Sequence, residues 1–368
     1  MKHNKHLVIV IESLGGGGAQ KAAINLARQW HEEGFIASFI LFSKQSEICF
    51  APPSEVKIHF LEKCPSPDAR GVRANLRRIF LLRRMLKSLN PDTVLTMVST
   101  TNTIGCLASI GMKWRLVISE RNDPTRQKIG RFWQIARTLS YPFADLITAN
   151  SEVALKFLAK QHKKEKLLYV PNIVATSSAD TVSQTTKISC LKILSVGRLH
   201  RQKRYDVLLT ALYIVRKTTT NFHLTVLGDG PLAPELKEQS ITLGLEEHIT
   251  WHGFRSDTEE FYKKNHVFVL ASDYEGSSNA LLEAMAFGLA PVISNSQEGS
   301  LQYVKNEESG SVFQQGDANS LAEHLLDYYR SPLRLRQHRE KALQTSVSFD
   351  KTNAFEIWKS ALTGEMPS

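Results

Sequence analysis

Short apolar runs alternate with amphipathic stretches along most of the chain. Leu7 to Ile11, Ile36 to Phe42, Thr93 to Met97, Leu116 to Ile118 and Leu146 to Thr148 are brief, largely β-branched or aliphatic, and bounded by turn formers, so they read as buried strands. Between them fall helical segments at about Lys21 to Glu33, Arg70 to Leu89 and Phe132 to Leu139, and one that Asn150-Ser151 caps and that runs to about Ala159. The polar stretch Ser99 to Thr103 reads as a loop. The alternation restarts at Leu191 to Val196 and continues with a helix at about Tyr205 to Lys217, the strand Phe222 to Leu227, a helix at about Pro234 to Leu243 and the strand Ile249 to Trp251. Strand His266 to Ala271, helix Ala280 to Phe287 and strand Leu289 to Ser294 follow, and Thr352 to Leu362 is a last helix with Phe355 and Trp358 as docking residues.

Residues 173–190 are rich in Ser and Thr and carry few large apolar side chains, which marks a linker. Strand and helix alternate on both sides of it. The expected fold is therefore α/β, with two Rossmann-like doubly wound domains facing each other across a cleft. The domains are 1–172 and 191–345, with a C-terminal helix and tail at 346–368.

Composition narrows the partners more than the fold. With 42% hydrophobic and 22% charged residues the chain is an ordinary globular protein, and 368 residues suffice for two cores. The formal net charge of +10 favours an anionic partner. Four cysteines in no Cys-x-x-Cys arrangement point to a reducing, cytoplasmic setting and to no metal site. No apolar run reaches the roughly 18 residues a membrane span needs, and the basic N-terminus leads into a buried strand rather than a signal sequence. On the Arg70 to Leu89 helix, Arg73, Arg77 and Arg84 gather on one side, and Val72, Leu76, Ile79, Leu82, Leu86 and Leu89 on another. A solvated basic face and a surface for anionic membrane lipids both fit that pattern.

Candidate chemistry sits at strand ends. The loop Gly15-Gly16-Gly17-Gly18 follows the first strand, but neither glycine register supplies the third small residue of a dinucleotide fingerprint, and no Gly-Lys-Ser/Thr follows. Ser119 to Pro124 forms a polar cluster in which Arg121 suits either a phosphate or a local pair with Glu120 or Asp123. After Val196 comes Gly197-Arg198-Leu199-His200-Arg201-Gln202-Lys203-Arg204, one glycine among four cations, which suits a diphosphate. Glu275 lies in a loop, and Glu283, about two turns further on, lies inside the helix that begins near Ser278, Asn279 and Ala280. Two such carboxylates can grip an elongated polyol with helix amides between them, or can be plain solvated acids.

In order along the chain, Val196-Gly-Arg-Leu199 with Lys203, Gly228-Asp-Gly-Pro231, Gly253-Phe254, Glu275-x7-Glu283 and Glu283-Ala-Met-Ala-x-Gly288 resemble the retaining glycosyltransferases of family 4, which have the GT-B fold. The Ser119 to Pro124 form is similar to that of a bacterial subgroup that extends lipid-linked or surface polysaccharides, often from UDP-sugars. The resemblance implies that Arg198 and Lys203 hold the donor diphosphate, Glu275 the transferred sugar and Glu283 the ribose. The amides of Ser278, Asn279 and Ala280 would meet phosphate or sugar, Gly253 and Phe254 would lie along the base, and Gly16 and Gly17 would approach the donor. Arg121 and Asn122 would stand on the acceptor side, where many relatives carry a histidine. It further implies transfer with retention, a departing phosphate that takes the acceptor proton, and no metal or other cofactor. Three positions depart from the pattern: Arg204 replaces a glycine, Ser277 a larger apolar residue, and Ile173-Val174-Ala175 the usual Gly-Val-Asp. The expected function is hexose or N-acetylhexosamine transfer from a nucleotide-sugar to a glycan or lipid-linked acceptor, in the cytoplasm or peripherally on the inner face of the membrane. The competing reading is a non-catalytic basic module for anionic lipid or nucleic acid. The transferase reading expects no nucleic acid partner.

Overall fold

The computed structural model describes residues 5–42, 48–61, 71–126, 129–173, 188–296, 298–347 and 351–365. Most of the expected linker, and Arg70 and Cys64, lie outside them. The chain divides into two compact units, one of residues 1–173 with 351–368 and the other of residues 174–350.

The first unit runs β1 (His6–Ile11), α1 (Gly18–Glu32), β2 (Ile36–Leu41), β3 (Lys57–Phe60), α2 (Val72–Leu89), β4 (Thr93–Met97), α3 (Ser99–Ser109), β5 (Arg115–Glu120), α4 (Arg131–Ser140), β6 (Leu146–Ala149), α5 (Glu152–Leu158) and β7 (Leu167–Tyr169). Its strands form one parallel sheet in the order β3-β2-β1-β4-β5-β6-β7. The order reverses between β1 and β4, the position at which open α/β sheets place their ligand sites, at the carboxyl ends of the strands. Burial on both faces explains why β1 is apolar from Leu7 to Ile11, and why β4, whose Thr93 and Thr96 are buried with the rest, does not alternate with exposed positions.

The second unit repeats the plan with β8 (Leu191–Val196), α6 (Tyr205–Arg216), β9 (Phe222–Leu227), α7 (Ala233–Thr242), β10 (Ile249–Trp251), α8 (Glu259–Lys264), β11 (Val267–Leu270), α9 (Asn279–Ala286), β12 (Ala290–Ser294), α10 (Glu298–Leu301), β13 (Ser311–Phe313), α11 (Ala318–Arg330) and α12 (Pro332–Ser346). Its parallel sheet has the order β10-β9-β8-β11-β12-β13, with the reversal between β8 and β11. The chain then returns to the first unit as α13 (Lys351–Thr363). Phe355 and Trp358 are buried in that unit's core beside Trp30. Burying Phe355 alone stabilises the docked helix by roughly 2–3 kcal/mol.

Two expectations change. Ser99 to Thr103 is not a loop but the first half of α3, and Ser99, Thr101, Asn102 and Thr103 are buried. Their hydrogen bonds are met internally: Thr96 donates to Asn102, Asn102 donates to the Ser119 carbonyl, and the Thr103 hydroxyl donates to the Ser99 carbonyl. The apolar side of α2 also splits. Leu82 and Leu86 enter the core, whereas Val72 and Leu76 are exposed and Arg78 is buried with its guanidinium on Asn75.

Candidate functional site

In the second unit, the loops that follow β8, β9 and β10 are joined by backbone hydrogen bonds. Gly197 N–H donates to Leu227 O, Leu199 N–H to Asp229 O, and Gly228 N–H to Gly253 O at 2.7 Å. Glycine is required for this approach. A Cβ on Gly228 would stand 2.0 Å from the Gly197 carbonyl oxygen, and its φ of +144° strains any other residue. Gly253 is thereby fixed beside Gly228, and Phe254 next to it is 37% exposed.

The loop that follows β11 crosses the sheet reversal to meet the cationic loop that follows β8. Asp273 N–H donates to Gln202 O, and the Gln202 side-chain amide donates back to Tyr274 O. Lys203 Nζ lies 2.6 Å from Glu275 Oε1, with the two side chains 19% and 13% exposed. Arg204 pairs with Asp206 and with Asp273 at 3.1 Å. Its φ of 50° and ψ of 44° are left-handed, which is why glycine suits this position, and the two aspartates hold arginine in it. Arg198 is on the same loop and exposed.

Beyond Glu275 the chain enters α9, whose first amide-bearing turn is capped by the Ser278 hydroxyl, which accepts from Leu281 N–H. Asn279 is buried and Ala280 half-buried. Glu283, one turn further, is 5% exposed rather than solvated, and the Tyr262 hydroxyl donates to its Oε2 at 3.0 Å. Tyr262 is stacked on Phe287 and wholly buried, and burial, with Glu283 beside it, pushes its phenol well above the usual range. Ser277 donates to the Tyr303 hydroxyl at 3.3 Å.

The first unit carries its own polar edge. Gly17 closes the loop after β1, where a Cβ would meet the Gln20 amide at 2.4 Å, and Gly16 is half-buried beside it. Ser119 and Glu120, expected in a loop, complete β5. Glu120 is fully buried, accepting from Tyr141 and from Ser99 at 2.9 Å, and burial holds its carboxyl above the ordinary range. Arg121 is buried too and donates to Asn172 Oδ1 at 2.5 Å, while Asp123 accepts from Thr125 and Asn122 is half-buried. Val98 opens α3 with a φ of 77°, an uncommon conformation for a β-branched residue, at the carboxyl end of β4.

Two family descriptions cover nearly all of this: "Glycosyltransferase Family 4" matches residues 16–178 and "Glycosyl transferases group 1" residues 183–345. A Campylobacter jejuni protein named N-acetylgalactosamine-N,N'-diacetylbacillosaminyl-diphospho-undecaprenol 4-alpha-N-acetylgalactosaminyltransferase is 30% identical over 362 residues, spanning 94% of this chain and 96% of that one. The chain is a family 4 glycosyltransferase. A second C. jejuni protein, named GalNAc-alpha-(1->4)-GalNAc-alpha-(1->3)-diNAcBac-PP-undecaprenol alpha-1,4-N-acetyl-D-galactosaminyltransferase, is 26% identical and covers 86% of each chain. Among solved structures, Anabaena HepE with UDP and glucose has a TM-score of 0.81 at 18% identity, covering 96% of this chain and 98% of that one, which establishes the GT-B fold. As an enzyme, the glycosyltransferase does not fit the non-catalytic reading of its basic charge.

Of the residues singled out from the sequence in the second unit, Arg198, Lys203, Glu275, Ser278, Asn279, Ala280 and Glu283 follow the strands β8 and β11 that flank the reversal, where Lys203 and Glu275 are in contact, and Gly253 and Phe254 follow β10 at the sheet edge, with Gly253 tied to Gly228. Those in the first unit, Gly16, Gly17, Arg121 and Asn122, lie in the loops at the carboxyl ends of β1 and β5. Tyr262, which donates to Glu283, and Asn172, which accepts from Arg121, are hydrogen-bond partners that residue spacing does not reveal. Asn172 is 51 residues from Arg121, and nothing in the sequence links Tyr262 to Glu283.

Proposed function

We propose that this glycosyltransferase moves a hexose or N-acetylhexosamine from a UDP-sugar to a lipid-linked or surface-polysaccharide acceptor, with retention of anomeric configuration. The observation that carries the proposal is the contact of Lys203 with Glu275 at the start of α9, with Glu283 fixed a turn further on. A cation, helix amides and two carboxylates in that sequence match a diphosphate flanked by two polyols. The names of the C. jejuni relatives and the UDP-bound HepE structure support the sugar class, the lipid-linked acceptor and the nucleotide.

In this scheme the bond from the anomeric carbon to the β-phosphate oxygen breaks, and the acceptor hydroxyl oxygen bonds to the same face of the sugar. The hydroxyl proton passes to the departing phosphate. Arg198 and Lys203 stabilise the charge that grows on the diphosphate, so no metal is needed. Glu275 orients the sugar, Glu283 binds the ribose hydroxyls, the amides of Ser278, Asn279 and Ala280 bind phosphate or sugar, and Gly253 and Phe254 flank the base. In the first unit, Gly16 and Gly17 leave room for the donor, and Arg121 and Asn122 serve the acceptor.

A thermal-shift series over UDP, GDP, ADP and their sugars tests the donor. UDP and UDP-sugars raise the melting temperature, because a ligand that binds only the native state stabilises it. A rise with GDP or ADP alone moves the proposal to another donor, and no rise with any of them removes it.

A further inference from the structure

We propose that α2 and α4 together form a docking face for an anionic lipid bilayer. On α2, Val72, Leu76 and Phe80 stand open to solvent, and on α4, Phe132, Ile135 and Leu139 do the same, all between 56 and 68% exposed. At about 100° per residue each trio occupies an arc of roughly 60–80° and forms one stripe. Both helices flank α3, and the groove between them, about 100 Å³, is apolar, with Ile79, Leu107 and Trp133 in its walls. Single exposed apolar residues are ordinary, but two adjoining stripes with an apolar groove between them mark a surface that is covered in use.

Charge identifies the cover. Exposed Arg73, Arg77 and Arg84 border the α2 stripe, Lys87 lies in line with it, and exposed Arg131 borders the α4 stripe. Neither helix contains an aspartate or glutamate. Apolar side chains ringed by cations suit a surface whose interior is hydrocarbon and whose headgroups are negative. A second copy of the chain fits poorly, since a self-complementary contact would set like charges against each other. Nucleic acid leaves the stripes unexplained. No helix among the described residues is long and apolar enough to cross a membrane, so the contact is peripheral.

The inference rests on the proposed function for one consequence only. In a parallel sheet the helix after a strand starts at the carboxyl edge, so Val72, Leu76, Phe132 and Ile135 lie near the edge that carries Gly16, Gly17 and Arg121. Docking through those turns presents that edge to an acceptor held in the membrane.

The test is co-sedimentation of the full chain with phosphatidylcholine vesicles with and without 30–40% (roughly) phosphatidylglycerol, a fraction that gives a strongly negative surface. We expect at least tenfold stronger binding to the anionic vesicles, falling with salt. Ile135→Ser with Leu139→Ser should reduce it at least tenfold, and Arg73→Glu with Arg77→Glu should remove the preference for anionic lipid. Each double variant keeps its melting temperature shift with UDP and its transfer to a water-soluble acceptor. Equal binding to both vesicles, unchanged binding in the variants, or a dimer that the same substitutions dissociate in place of vesicle binding overturns the proposal. Loss of transfer to the soluble acceptor in the wild type, with vesicle binding intact, would instead refute the proposed reaction.

Discussion

Glu275→Gln separates two roles of the same carboxylate, because it should strengthen one ligand's binding and weaken the reaction. In the unliganded enzyme the substitution leaves the largely shielded Lys203 ammonium facing an amide. That costs about 1–3 kcal/mol of stability, the range for depriving a partly buried charge of its partner. UDP brings a diphosphate to the same ammonium and no longer meets a competing carboxylate. Two charges about 6 Å apart in an effective dielectric of about 20 repel by roughly 3 kcal/mol, which screening at this half-open loop reduces to about 1–2 kcal/mol. UDP should therefore bind Glu275→Gln roughly 5- to 30-fold more tightly than wild type. Transfer loses a charge-assisted hydrogen bond to the sugar, and kcat/KM should fall roughly 10- to 150-fold. Titration calorimetry with UDP, thermal melting without ligand and a steady-state transfer assay read the three effects. Unchanged or weaker UDP binding in the variant would show that the diphosphate does not sit at Lys203.

Four further outcomes follow from individual contacts. Tyr262→Phe keeps the stack on Phe287 but removes the hydroxyl from buried Glu283; UDP affinity should drop about 5- to 10-fold, with UMP weakened as much, since losing one such hydrogen bond costs roughly 1 kcal/mol. Burial raises the Glu120 carboxyl above its reference of 4.5, so the unfolded chain ionises first and stability falls as pH rises through the interval between the two values; urea melts across that interval should show the fall in wild type and not in Glu120→Gln. Arg204→Ala and Arg204→Gly both lose the pairs with Asp206 and Asp273, but only glycine relieves the left-handed backbone; Arg204→Gly should melt as the more stable of the two by about 1 kcal/mol. Chelation with EDTA should leave initial transfer rates unchanged, whereas a loss restored by added magnesium would transfer the diphosphate's neutralisation from Arg198 and Lys203 to a metal.

The inner strands of both sheets could be read because strands buried on both faces are short and apolar, and Phe222–Leu227 has the same bounds in sequence and structure; the short outer strands β3, β7 and β13 could not be read in that way. α3 could not, because Ser99, Thr101, Asn102 and Thr103 are polar by composition and buried by partnership with Thr96, Ser119 and Glu120, contacts made only after β4 and β5 pair. The two acids of the Glu-x7-Glu pair are legible as a spacing. Their environments are not: Glu283 is buried under Tyr262, and Glu275 is held by a lysine 72 residues earlier in the chain. Likewise a helical wheel of α2 sorts arginines from leucines without showing that Leu82 and Leu86 enter the core while Val72 and Leu76 stay exposed. Arg121 had two acidic neighbours in sequence, yet the hydrogen bond of its guanidinium crosses to Asn172, because β5 and β7 end on the same edge of the sheet.

The most direct test of the account is mass spectrometry of the product formed from UDP-sugars and a polyprenyl-diphosphate-linked sugar, run with wild type and with Lys203→Ala. Wild type is expected to add one sugar with release of one UDP per product, and Lys203→Ala, folded by its circular dichroism, to form product at least a hundredfold more slowly. Lys203→Ala turning over at the wild-type rate would contradict it, as would wild type that forms no product from any UDP-sugar.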